Sequence, residues 1–131
     1  MTGMRGVYLV AAELSRLGFI ASPTSRSAAG ADLLVTDPRC RRAYSVQVKT
    51  NARTFNFWLI GRKAKETVSS AHIYVLVNIK ETKRQGLQIE YFVIPSKHLS
   101  REGHHDGAWP HIRRDRILKY RDAWEAFGEA D

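Results

Sequence analysis

The chain is poor in cysteine, has no long apolar run and carries no acid through its middle. Cys40 is the only cysteine among 131 residues. It has no internal disulfide partner, and a reducing cytoplasm is the expected compartment. No apolar stretch approaches the ~20 residues of a spanning helix, so no membrane role is expected. The opening MTGMRGVYLVAAEL sets Arg5 before an apolar run. Glu13 cuts that run short and no small-residue cleavage site follows, so a secretory leader is not expected either. Internal repeats and low-complexity segments are missing. The length suits a single domain over residues 1–131.

The missing acid says most. Between Asp37 and Glu66 there is no carboxylate, while Arg39, Arg41, Arg42, Lys49, Arg53, Arg62, Lys63 and Lys65 all fall there. A merely solvated face usually mixes its signs. With a net charge of +8 and a pI near 10, the chain is expected to meet a polyanion: nucleic acid first, an acidic protein as the alternative.

What is present reads as a small α/β protein. Val7, Val10, Leu14 and Leu17 repeat at the spacing of one helical face, predicting a helix over 6–17 that Gly18 ends in a left-handed cap. Glu13 falls on the rim of that apolar stripe, as a solvated edge residue or as an acid aimed into a site. A short strand is predicted over 19–22. The small polar loop PTSRSAAG follows, a plain connector unless Ser25, Arg26 and Ser27 donate to a phosphate.

Residues 32–36 and 43–50 have strand composition, and Asp37-Pro38 starts the turn between them. A symmetric hairpin pairs Thr36 with Ala43 and sets Asp32 opposite Gln47, with Lys49 one step further on the same face. Residues 61–68 are expected to be helical, and IYVLVNI is expected to be a central strand buried on both faces. Another strand is predicted over 87–94. Ser96 is expected to cap a short helix through Leu99, and residues 101–116 to run irregularly. A last helix is predicted over 117–127, with Leu118, Trp124 and Phe127 inward.

His98, His104, His105 and His111 cluster in sequence but lack a metal-ligand spacing, and read as solvated. Cys40 lies between two arginines with no partner base, which argues against a catalytic thiol. Trp58, Trp109 and Trp124 read as core or interface anchors.

Taken in order, AAEL around Glu13, GADLLV around Asp32 and SVQVKT around Gln47 and Lys49 give E…D…QxK. This pattern resembles the PD-(D/E)XK nuclease superfamily, which includes restriction endonucleases and Holliday junction resolvases. The segments FWLIGRKAKE, IYVLVNI, YFVIPSKHLS and YRDAWEAF are similar to a bacterial group within it. The resemblance implies a three-layer restriction-endonuclease-like α/β fold, a mixed sheet flanked by helices with an αβββαβ core. It also implies Mg²⁺-dependent hydrolysis of DNA phosphodiesters, with Mn²⁺ as a substitute. Asp32, the Gln47 side-chain oxygen and the Val48 carbonyl would then hold the cation, with Glu13 directly or through a water. Lys49 would orient the attacking water or stabilise developing charge. Arg26, Ser27 and the cations of the acid-free stretch would contact duplex or branched DNA, and a homodimer would supply one site per strand. Gln47 stands where the superfamily most often has Glu, leaving one negative charge fewer for the cation. A DNA-binding module of the same fold with weak or no catalysis is therefore the alternative.

Overall fold

The computed structural model describes residues 2–25, 30–53 and 55–130. The first helix, α1 (Thr2–Arg16), starts one turn earlier than the apolar spacing predicts. Val7, Val10 and Leu14 are its buried face. Gly18, at φ 98°, closes it: its N–H bonds the Ser15 carbonyl at 3.0 Å and the Phe19 N–H bonds that of Leu14 at 3.0 Å. This is the predicted left-handed cap.

The chain then forms β1 (Ile20–Pro23), β2 (Leu33–Thr36) and β3 (Ala43–Asn51). The pairing of Thr36 with Ala43 is as expected. After β4 (Phe57–Leu59) and a single 3₁₀ turn (Arg62–Lys65) come β5 (His72–Thr82) and β6 (Gly86–Pro95). The main sheet has the order β1-β2-β3-β5-β6, with β3 and β5 parallel and every other pair antiparallel. Then follow α2 (Ser96–Glu102) and β7 (His111–Arg113), which pairs with β4 as a separate ribbon.

Two cores lie on the two faces of this sheet. On one, α1 covers Leu33, Val35, Val46, Val48, Val75 and Val77. On the other, Tyr74, Leu76, Phe92 and Ile94 are covered by Trp58, Ile60, Ala64, Leu99 and Ile112. β5 is thus buried on both faces, as its unbroken apolar run predicts. Trp58 buries its whole ring and donates its indole N–H to the Val77 carbonyl at 3.1 Å. Trp109, by contrast, is 72% exposed and is no core anchor.

Several expectations are corrected. The basic segment 61–68 yields only the one 3₁₀ turn. The second layer is therefore built from that turn, the β4–β7 ribbon and α2 rather than from a long crossover helix. Ser96 does not cap α2: Pro95 occupies the cap position, and the buried Ser96 hydroxyl donates to the Ser69 carbonyl and accepts the Ser69 N–H. The last helix does not form. Short 3₁₀ turns (Leu118–Tyr120 and Trp124–Phe127) are separated by Asp122 at φ 52°. Here the chain is held to the edge of β6, with Arg121 bridged to Phe92 and the Asp122 N–H on the Tyr91 carbonyl. Phe127 is buried as expected, whereas Leu118 is exposed.

α1 approaches β3 closely at Gly6. A methyl group there would fall 1.8 Å from Thr50 Oγ1 and 2.9 Å from its Cβ, so the strand itself would have to move. Gly6→Ala is expected to cost about 1–2 kcal/mol despite the better helix propensity of alanine. Gly3→Ala, in open space, is expected to leave stability unchanged or slightly raised. Urea unfolding of the two variants checks the pair.

Candidate active site

The site forms where β2 stops beside β3. The regular ladder ends at Leu33 opposite Val46, and the next bond runs from the Asp32 N–H to the same Val46 carbonyl at 2.7 Å. Asp32 and Leu33 therefore share one partner, which is a β-bulge. This corrects the expected register: Asp32 does not pair directly with Gln47. Its carboxylate instead turns into the edge of β3, where Oδ2 accepts the Val48 N–H at 2.8 Å. A strand residue sends its N–H and C=O to the same side. The Val48 carbonyl therefore faces the edge that Asp32 occupies, beyond the last residue of β2. The Thr24 hydroxyl and N–H bond the Ala31 and Asp32 carbonyls at 2.6 and 3.0 Å and fix the approach to the bulge.

A cavity of about 210 Å³ opens at this point, lined by Asp32, Val48, Thr24 and Ser25 and by Gly3, Met4 and Val7 of α1. The helix residues that face Asp32 are thus from its first two turns, and none is acidic. Glu13 is not brought to this group. It is half-buried on the stripe's rim, as expected, and binds Arg16 Nε at 2.8 Å. Its charge is felt at Tyr91 on β6, whose hydroxyl is pushed up first by burial and then by Glu13. β6 is three strands from β2, ~14 Å at the usual strand spacing.

Gln47 and Lys49 lie on the sheet face opposite α1, because Val46, Val48 and Thr50 point towards the helix. Parallel pairing sets Gln47 beside Tyr74 and Lys49 beside Leu76. Both side chains are half-buried, and among the described residues neither has a hydrogen bond or an ion pair. Ser45, two residues before Gln47 on that face, is 2.6 Å from Nδ1 of His72. His72 is 5% exposed and its Nε2 has no partner among the described residues. Burial pushes its pKa down, so the ring is neutral. Sequence reasoning missed His72, because only the β3–β5 register brings it to Ser45.

The expected nucleic-acid contacts divide. Arg62, Lys63 and Lys65 are exposed on the 3₁₀ turn, whose buried Ala64 packs in the cluster containing Tyr74, so they rim the face that carries Gln47. Arg39 and Arg53 are also exposed. Arg41 and Arg42 are partly committed elsewhere. The Asp37 side chain is fully buried, with Oδ1 accepting the Arg41 N–H at 2.7 Å and Oδ2 lying 3.2 and 3.9 Å from the Arg41 and Arg42 guanidinia. Burial raises the Asp37 pKa, but the Arg41 bonds outweigh it and the net shift is down. Arg42 also donates to the Glu129 carbonyl. Arg26 and Ser27 lie outside the described residues. Among the described residues no three His, Cys, Asp or Glu side chains converge as a metal cluster. His98 is tied to the Tyr120 hydroxyl at 2.9 Å and His105 to the Ser100 carbonyl at 2.7 Å.

Two solved structures are similar to this chain in fold. A Holliday junction resolvase (Hjc) from Archaeoglobus fulgidus superposes with a TM-score of 0.63 at 14% identity, covering 98% of both chains. This is the restriction-endonuclease-like PD-(D/E)XK fold. A bacterial homing endonuclease with that fold superposes at 0.57 and 13% identity, covering 95% of this chain and 86% of its own. No family model and no curated protein matches the sequence. At these identities the likeness establishes the fold. No helix among the described residues is long and apolar enough to cross a membrane.

Lowered histidine pKa values make stability depend on pH with a definite sign. The unfolded chain protonates His72 and His98 near pH 6.5, before the folded chain does. Their contribution is complete above that pH and is lost as pH falls through the lower folded values. Asp37 and Glu90, also lowered, lose theirs further into acid. Unfolding free energy is expected to decline in two stages on acidification. His72→Gln is expected to weaken the upper stage and leave the lower one, measured by urea titration from pH 8 to 3.

Proposed function

We propose that the chain is a divalent-metal-dependent endodeoxyribonuclease working at the β2–β3 edge. The observation that carries the reading is Asp32. A bulge holds its carboxylate on the backbone N–H of Val48, the residue between Gln47 and Lys49, whose side chains have no hydrogen bond or ion pair among the described residues. The fold, shared with enzymes that cut DNA, supports the same reading.

The donors fit a hard cation. The Asp32 carboxylate, the Gln47 amide oxygen and the Val48 carbonyl are all oxygens, and Mg²⁺ commonly takes one or two carboxylates and keeps several waters. When bound, such an ion supplies Lewis acidity and lowers the pKa of water. The protein supplies position and charge. The Val48 N–H fixes the Asp32 carboxylate without neutralising it. Lys49 stands on the open face, where its ammonium meets phosphoryl oxygens as negative charge builds. Arg62, Lys63 and Lys65 hold the backbone of the polyanion against that face. Glu13 has no part in this arrangement.

One carboxylate is a weak cation site, and this favours the alternative of a DNA-binding module with little catalysis. A plasmid nicking assay with Mg²⁺ or Mn²⁺, on linear and branched DNA, decides between them. Asp32→Ala and Lys49→Ala are expected to abolish cutting, and Glu13→Gln to leave it intact. Gln47→Glu, which restores a second carboxylate, is expected to lower the Mn²⁺ concentration needed for half-maximal rate about tenfold. Cutting that survives Asp32→Ala would refute the assignment of the site. A wild type that binds DNA but never cuts, in any of these ions, would establish the binding module.

A further inference from the structure

A cationic cavity lies on the same sheet face as Lys49, at the far end of β5. The register shows how the face changes along its length. Lys49, Leu76 and Phe92 form one row across the sheet, and Asn51, Asn78 and Glu90 form the next, followed by Lys80 beside Gln88. An apolar row thus gives way to two polar ones. The cavity over them has a volume of about 610 Å³ and is lined by Phe55, Asn78, Lys80, Glu90, Arg114 and Arg121, among others. Three of its lining residues are basic and one is acidic.

That acid organises the bases. Glu90 Oε1 accepts Nε of Arg114 at 2.8 Å and Oε2 accepts its Nη2 at 3.0 Å, while Nη1 of Arg121 lies 3.7 Å from that same Oε2. Nδ2 of the buried Asn78 donates to Glu90 at 2.7 Å and to the Phe55 carbonyl at 3.2 Å. Arg114 also lies over the Phe92 ring, at 5.6 Å. The guanidinium fork is thereby fixed in place before any ligand arrives. Arg114 holds the Glu90 carboxyl below its ordinary range, so this pair stays ionised and cancels, leaving Lys80 and Arg121 as the surplus. Lys80 is exposed, its ammonium 5.8 Å from the Phe55 ring, and the Arg121 side chain is 53% exposed. Both are available at the cavity mouth.

We propose that this cavity is a second phosphate-binding site, which takes a backbone phosphate of the DNA engaged at Lys49. Lys80 lies four residues past the partner of Lys49 and one strand across, ~14 Å away. Measured along the duplex axis, that span is about four base-pair rises of ~3.4 Å. The inference rests on the nuclease reading for its ligand, but not on catalysis.

Binding without metal tests it. Duplex DNA affinity is measured in EDTA over a range of salt for the wild type and for Lys80→Gln/Arg121→Gln. Both side chains are exposed, and urea unfolding confirms that the variant folds. The variant is expected to bind at least tenfold more weakly at low salt, with the slope of log K against log salt reduced by about 2. Equal affinity and slope would overturn the site while leaving the nuclease reading standing. No DNA binding by the wild type even at low salt would remove both. In a parallel arm with dAMP, binding that depends on Lys80 and Arg121 while DNA affinity does not would overturn the DNA assignment in favour of a free nucleotide.

Discussion

β3 has two faces, and only one of them is covered. Its parallel pairing with β5 puts it inside the sheet, and α1 packs so closely on it that Gly6 has no room for a methyl group. Val46, Val48 and Thr50 are committed to that contact. Strand alternation then sends Ser45, Gln47 and Lys49 to the other side. The second layer covers β5 and β6, and its clusters hold Tyr74, Leu76, Phe92 and Ile94 but no residue of β3. The polar side chains of β3 are therefore left beside a covered core without being part of it. That single constraint, a strand packed tightly on one face and only half-covered on the other, leaves Gln47 and Lys49 half-buried at the rim of the second core.

The parts of this arrangement set by local periodicity were legible in the sequence. The helix stripe, the Gly18 cap, the doubly buried β5 and the start of the β2–β3 hairpin all follow from spacing within a few residues. The parts set by contacts between distant segments were not. Asp32 was placed on the right strand end but in the wrong register, because a bulge is written in the partner strand's bonds and not in its own sequence. Glu13 lay on the predicted rim of α1, yet what that rim faces depends on sheet order, and its charge is felt at Tyr91 of β6. The pattern around Trp124 and Phe127 carried a helical spacing that pairing with the edge of β6 overrode. Asp37 looked like an ordinary turn residue, and nothing local showed that the turn would bury it.

Asp37 also changes how the acid-free stretch is understood. Its buried carboxylate draws in Arg41 and, more loosely, Arg42, so the hairpin end of the stretch is partly compensated, with Arg39 left exposed. Further uncompensated charge lies at Arg53 and on the 3₁₀ turn with Arg62, Lys63 and Lys65. The 3₁₀ turn packs its Ala64 in the cluster that holds Tyr74, the neighbour of Gln47 on β5. A basic field counts for association only where it is not already balanced.

The shortage of acid has a second effect at the same place. A site with one carboxylate, one amide and one carbonyl holds a divalent cation weakly by itself, since most of the attraction comes from formal negative charge. A phosphodiester laid against Lys49 brings the missing charge with it. On the proposed reading, cation and DNA therefore bind together more strongly than either does alone, and linkage makes the gain reciprocal. A glutamate at position 47 would bind the cation without waiting for the substrate, and would also repel the backbone that must lie beside it. Glutamine gives up affinity for the free ion and avoids that repulsion. The neutral residue that weakens the resemblance is thus the one expected to make cation binding conditional on DNA.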